Sequence, residues 1–277
     1  LSWSADYVLT VGRDDRTAEL GGWVTLANNS GTGYRNATLQ LVAGDLHRTQ
    51  EAYRREADMM KETMVRAAAA PQFAQEAFSE YHLYTLQRRT SVNDQQTKQV
   101  AFLTAGSVPV EKRFVVEGQQ AYYRNRHNPG SPLKDVVKVY YRFRNDQQAG
   151  LAVPMPAGVV RVSRADARGS IQFAGEDRIS HTPKDETVNL YTGNAFDVVC
   201  ERRQTDFRKI ADNLYEMAFE ITLRNHKEAP IVVEVNEPIA GDWEMLDATH
   251  RWTKADAWAA RFSVPVEQGG ASVLRYR

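Results

Sequence analysis

The sequence is poor in most of the features that announce a chemistry. Among 277 residues there is a single cysteine, Cys200. A lone cysteine closes no intrachain disulfide, so the fold must be held by its core. The chain is long enough to bury one without covalent staples. The compartment stays open, because many exported proteins of this size carry no disulfide. Net charge is also absent: 35 Lys+Arg balance 35 Asp+Glu. That excludes a global basic field for nucleic acid and equally an acidic tail. Arginine outnumbers lysine 26 to 9, which reads as genome composition rather than function. Long hydrophobic runs are missing too. The most apolar stretch, residues 150–160, is broken by Pro154 and Pro156 and falls far short of the roughly 20 residues a membrane span requires. The chain starts at Leu1 within a strand-like stretch, with no Met and no signal peptide. A processed or excised piece, with an export signal upstream of Leu1, is therefore the expectation. No GxSxG, HExxH, GxxxxGK[ST], paired CxxC or calcium-loop motif occurs.

What is present is period-2 alternation. Strands are expected over residues 5–11, 20–27, 38–42, 80–89, 99–103 and 113–116. Further along come 196–202, 215–223, 231–235, 258–264 and 272–276. The clearest is 137–144, where Val137, Val139, Tyr141 and Phe143 alternate with Lys138, Tyr140, Arg142 and Arg144. Asn28-Asn29-Ser30-Gly31 and the stretch from Asn225 to Pro230 are turn signals between strong strands. One segment differs. Over 48–70, Tyr53, Ala57, Met60 and Met64 share a helical face, and Pro71 follows as a stop. The helix would cover an open sheet edge, or offer its Met-bearing face to a partner. Many short strands with little helix predict an all-β protein. The expected form is two β-sandwich units of the immunoglobulin or fibronectin type with one helical insertion around 48–70. The boundary falls near 185, giving units 1–184 and 185–277, although strands between 136 and 179 fit either.

Two stretches combine the residue types that bind ligands. In Tyr81-His82-Leu83-Tyr84, alternation puts His82 and Tyr84 on one face, with Arg88 close behind. That face is read as a binding surface for an anionic or sugar partner; core packing is the ordinary alternative. The loop around Tyr122, Tyr123, Arg124, Arg126 and His127 interleaves aromatics with cations. Stacking plus phosphate contact would use that pattern, but no basic stripe supports nucleic acid, and a mobile partner-contact loop is expected instead. Asp177, His181 and Asp185 form a D-x3-H-x3-D series, a metal candidate whose neighbouring members would lie roughly 13 Å apart on an extended strand, so only a loop could gather them. Loop polarity explains it as well. Cys200 lies in an apolar strand and reads as a buried thiol rather than a nucleophile. Asn28-Asn29-Ser30 and Asn36-Ala37-Thr38 match the glycosylation sequon, relevant only in a eukaryotic secretory host. No catalytic residue and no cofactor is assigned.

Trp3-Ser4-Ala5-Asp6-Tyr7, the stretch from Gly22 to Gly31, and Leu39-Gln40-Leu41-Val42-Ala43-Gly44-Asp45 together resemble the bacterial DUF4139 family. Glu80 to Leu86, Thr97 to Val100, Arg224 to Lys227 and the end of the chain from Pro265 to Tyr276 are similar to later parts of it. The resemblance implies an all-β, non-enzymatic module of an exported bacterial protein, usually the C-terminal half of a longer chain. Some relatives are labelled mucoidy inhibitors. The expectation is thus a periplasmic or secreted binding or scaffold module of the bacterial envelope. Its partner would be an envelope protein or glycan, with no nucleic acid and no transmembrane segment. The alternatives are a hydrolase of envelope glycans or peptides, with Glu176, Asp177 and Asp185 as first suspects, and a self-assembling structural subunit.

Overall fold

The computed structural model describes residues 1–44, 73–78, 81–127, 132–166 and 168–277. The chain is all-β, built of several sheets with no closed barrel. In chain order its strands are β1 Ser2–Val11, β2 Thr17–Asn28, β3 Tyr34–Ala37, β4 Gln40–Ala43, β5 Phe73–Phe78, β6 Tyr81–Leu86, β7 Thr90–Val92, β8 Gln96–Pro109, β9 Glu111–Glu117 and β10 Leu133–Asp135. There follow β11 Lys138–Arg144, β12 Gly158–Ala165, β13 Ile171–Ile179, β14 Thr187–Asn194, β15 Val198–Ala211, β16 Leu214–Asn225, β17 Ile231–Pro238, β18 Trp252–Asp256, β19 Ala259–Val266 and β20 Ala271–Tyr276. The helix expected over 48–70 lies outside the described residues. Among the described residues no helix is long and apolar enough to cross a membrane.

The chain divides into two compact units. One comprises residues 1–110 and 143–190, the other 111–142 and 191–277. A single cut near 185 does not describe this division. Segment 111–142 belongs with the C-terminal strands because β9 pairs in parallel with β17, and β10 pairs antiparallel with β15. Those ladders join residues more than 60 positions apart, and local alternation carries no information about such partners.

In the first unit the five-stranded sheet runs β13-β12-β1-β2-β8. A three-stranded sheet, β4-β6-β5, and the pair β3-β7 complete it. Alternation on β1 and β2 sends Tyr7, Leu9, Leu20, Val24 and Leu26 inward, each at most 2% exposed. The Phe102 ring meets Tyr84 at 5.1 Å and Phe73 at 5.9 Å, both edge-on.

In the second unit β10-β15-β16-β20 form one sheet; β9, β17, β19 and β18 belong to the six-stranded sheet β14-β11-β9-β17-β19-β18. One core draws on both: Ile221, Leu223 and Leu274 from the first, Val233, Val235, Phe262 and Val264 from the second, all fully buried. Several strands run well past expectation, β8 over Gln96–Pro109 rather than 99–103 and β15 over Val198–Ala211 rather than 196–202, while β15 and β19 start a residue or two late. Phe196 is 96% exposed ahead of β15, and Trp258 is 62% exposed in the β18–β19 turn. In both places the strand takes over once alternation can bury alternate side chains.

Candidate functional site

The Tyr122–His127 stretch is not a free contact loop. Residues Gln120–Tyr123 form a 3-10 turn, and Tyr122 is buried. Its hydroxyl donates to Asp135 at 2.9 Å, and the Arg202 guanidinium stacks 4.6 Å from its ring centroid. The Tyr123 hydroxyl donates to Glu237 and lies 2.8 Å from the Tyr276 hydroxyl. Arg202 sits at the centre. Nε donates to Asp135 at 2.7 Å, Nη2 to Glu237 at 2.6 Å and Nη1 to Tyr276 at 3.3 Å. Arg202 is 1% and Glu237 0% exposed. One buried cation thus faces two carboxylates with its donors matched to their acceptors, the condition under which such a group is tolerated.

The electrostatics follow from burial. Desolvation opposes the charge on Arg202, but Glu237, Tyr276 and Asp135 outweigh it and hold its pKa well above the ordinary value. Burial raises Tyr123 and Tyr276 well above the usual phenol. It also pushes Tyr122 up to about 12, with Asp135 adding to the effect. Nearby Cys200 is buried and its thiol is pushed up to about 12, again chiefly by burial, which keeps it protonated near neutral pH. Gln204 pins the turn from behind. It accepts from the His127 backbone N at 2.8 Å and donates to the Asn125 carbonyl at 3.2 Å. Arg124 and Arg126 are exposed, Arg124 bonding Gln120 at 3.2 Å. The expected interaction loop is therefore a wall around an internal ionic network.

The other expected surface is corrected in the same direction. On β6 it is the His82–Tyr84–Leu86 face that turns inward. Tyr84 is 2% exposed and donates to the Pro154 carbonyl at 2.9 Å. His82 is half-buried at the end of that row, with Nδ1 2.9 Å from Gln75 Nε2. Arg88 is exposed in the following turn. These residues lie in the first unit and Tyr122–His127 in the second.

Asp177, His181 and Asp185 are not gathered around one point; among the described residues no group of three His, Cys, Asp or Glu could hold a metal ion. Asp177 is on β13. His181 accepts from the Ala157 backbone N at 3.2 Å, and Asp185 occupies a left-handed turn at φ 66°. Glu176 and Asp177 are consecutive on β13 and so point to opposite faces, which denies them a shared scissile bond.

A concave feature that sequence reading missed lies in the second unit: a groove of about 640 Å³ over β9, β17, β18 and β19. Alternation that sends Phe114, Val233, Val235 and Phe262 into the core sends Glu111, Arg113, Glu234 and Arg261 outward. The groove's charged lining is Lys112, Arg113, Arg251 and Arg261 against Glu111 and Glu234, two positive charges in excess. Arg113 and Glu234 form a two-pronged pair, with Nε donating at 2.6 Å. Burial raises the Glu234 carboxyl, but Arg113, with Arg261 and Arg142 adding, outweighs it and leaves it below the ordinary range. Arg261 engages through Nε, which donates to Asn236 at 3.1 Å and lies 3.8 Å from Glu234. Arg251 is exposed and has no ion-pair partner among the described residues. Each cation was visible in sequence. Their convergence was not, because β9 and β17 are more than 100 residues apart.

Three buried asparagines were also missed as structural parts. Asn28 donates to the carbonyls of Thr32 and Asn93, both at 2.8 Å. Asn225 donates to Ala229 at 2.9 Å and Glu267 at 3.1 Å, and accepts from Lys227 N at 3.0 Å. Asn145 donates to Val153 at 2.7 Å and Pro183 at 2.8 Å. Each ties a strand end to a neighbouring loop. Asn28 is fully buried and committed, so its sequon is no glycosylation site in the folded protein.

No protein-family model, no curated protein and no solved structure matches this chain.

Proposed function

We propose that the protein is a non-catalytic binding module of the bacterial envelope, working outside the cytoplasm, which holds an anionic partner in the groove of its second unit. The fuller architecture, two sandwiches of the immunoglobulin or fibronectin kind, and membership of the DUF4139 family are part of the same proposal. They rest on strand pattern and motif resemblance.

The observation that carries the reading is the charge balance of the groove. Two cations exceed the carboxylates, Arg251 has no ion-pair partner among the described residues, and Arg261 has both Nη nitrogens to offer. Guanidinium groups present paired donors that match carboxylate or phosphate oxygens, and a groove wall lowers the screening they meet in open solvent. Arg113 is the fixed member, held by Glu234, so it shapes the floor while Arg251 and Arg261 contact the partner. The neutral overall charge confines the attraction to this patch.

Calorimetric titration with oligogalacturonate and with polyglutamate, at low and high salt, tests this. Binding of either polyanion that weakens with salt and drops at least about tenfold in Arg251→Glu/Arg261→Glu supports it. No binding at low salt, or equal binding by the double variant, refutes it.

A further inference from the structure

We propose that the outer face of the five-stranded sheet in the first unit is a second binding site, a platform for a short neutral oligosaccharide, centred on Trp23. Along β2, Leu20, Gly22, Val24 and Leu26 face the core, so Gly21, Trp23 and Thr25 face out. The indole does not stand off the sheet. It folds back along its own strand over Gly21, where a Cβ would lie 2.7 Å from Cη2 and 3.3 Å from Cζ2 and Cζ3. The ring therefore packs back onto its own strand and stays partly exposed. Its Nε1–H has no acceptor among the described residues.

A polar row runs beside the ring. Asp6 of β1 is the register partner of Trp23. Thr25 Oγ1 is 3.5 Å from Asp6 Oδ2. Arg161 of β12 is 3.8 Å from Asp6 and 3.7 Å from Glu176 of β13. Ion pairs this long, on side chains 24%, 46% and 57% exposed for Asp6, Arg161 and Glu176, leave hydrogen-bonding capacity unspent. The combination suits a short oligosaccharide: the C–H face of one pyranose covers the indole while its rim hydroxyls donate to Asp6 and accept from Trp23 Nε1, and Arg161 and Glu176, two and three strands away, meet the hydroxyls of the next ring. Two carboxylates against one cation disfavour an acidic sugar, so this site is distinct in ligand from the cationic groove. An aromatic ring that merely fills the space above a glycine would explain the folded-back pose. It would not explain the row of loosely engaged donors and acceptors alongside.

The test is calorimetry of the whole chain with cellohexaose, mannohexaose and chitohexaose at millimolar concentration. At least one is expected to bind. Trp23→Ala, checked for folding by near-UV circular dichroism, should weaken binding at least about tenfold, and Trp23→Phe less. Arg161→Gln, which leaves the ring in place, should weaken binding several-fold and decides the question if Trp23→Ala fails to fold. Arg251→Glu/Arg261→Glu should leave hexaose binding unchanged, which separates this proposal from the groove. Absence of binding by all three hexaoses overturns it. So does wild-type affinity in folded Trp23→Ala or in Arg161→Gln, or tighter binding of oligogalacturonate on this face.

Discussion

Arg202→Met is the sharpest perturbation the fold offers. Methionine keeps most of the arginine volume, so packing changes little, while the charge and all donors vanish. Asp135 and Glu237 then remain in place, 7% and 0% exposed at the side chain, with their cation gone. Tyr122 and Tyr123 can each still donate one hydrogen bond to them. Removing one partner from a buried ionic group typically costs about 3–5 kcal/mol. The whole stability of a domain is only about 5–15 kcal/mol. Scaled to a unit of this size, the loss corresponds to a fall in Tm of roughly 12–20 °C. Urea unfolding followed by far-UV circular dichroism measures it. Arg202→Met/Glu237→Leu should recover a substantial part of the loss, because the orphaned carboxylate is its source. A loss below about 1 kcal/mol in the single variant, or a double variant as poor as the sum of both singles, would show that the network does not hold the unit together.

Three other outcomes follow from the same geometry. With its thiol pushed up to about 12, Cys200 should resist Ellman's reagent in the native protein near neutral pH and react fully in denaturant; rapid native reaction would contradict its burial. Tyr7, Tyr84, Tyr123 and Tyr276 all have folded-state pKa values raised by burial. Unfolded chains lose those protons from about pH 10 while the folded state keeps them, so stability is fully present below that pH and falls above it. Tyrosinate absorbance should therefore rise in a late step coincident with unfolding, and a smooth titration of all 12 tyrosines without unfolding would refute this. Asn225→Ala strips bonds to Ala229, Glu267 and Lys227 and should cost about 2–4 kcal/mol in urea unfolding; exposed Asn213→Ala should cost almost nothing.

The alternation of Val139, Tyr141 and Phe143 against lysine and arginine specified a strand with one buried face, and β11 has that face. Alternation is a local property of a pleated backbone, so a single sequence displays it. The same rule stops short of deciding which face is inward when both carry aromatics. His82 and Tyr84 on one side and Tyr81 and Leu83 on the other were equivalent until Phe102 and the Pro154 carbonyl were brought against Tyr84. Likewise, Tyr122, Tyr123 and the arginines after them spelled an exposed loop. Only Arg202, Glu237 and Tyr276, from three distant strands, make two of those aromatics internal.

Composition and periodicity by themselves determined the all-β class, the absence of any disulfide framework and the confinement of charge effects to local patches. Tertiary structure alone decided which segments share a unit, which polar residues are buried and where cations converge. The physical reason is sequence separation. Strand pairing, ion pairing and a groove's charge depend on partners tens to hundreds of residues away, as with Arg113 and Glu234. No local pattern encodes the register that brings them together.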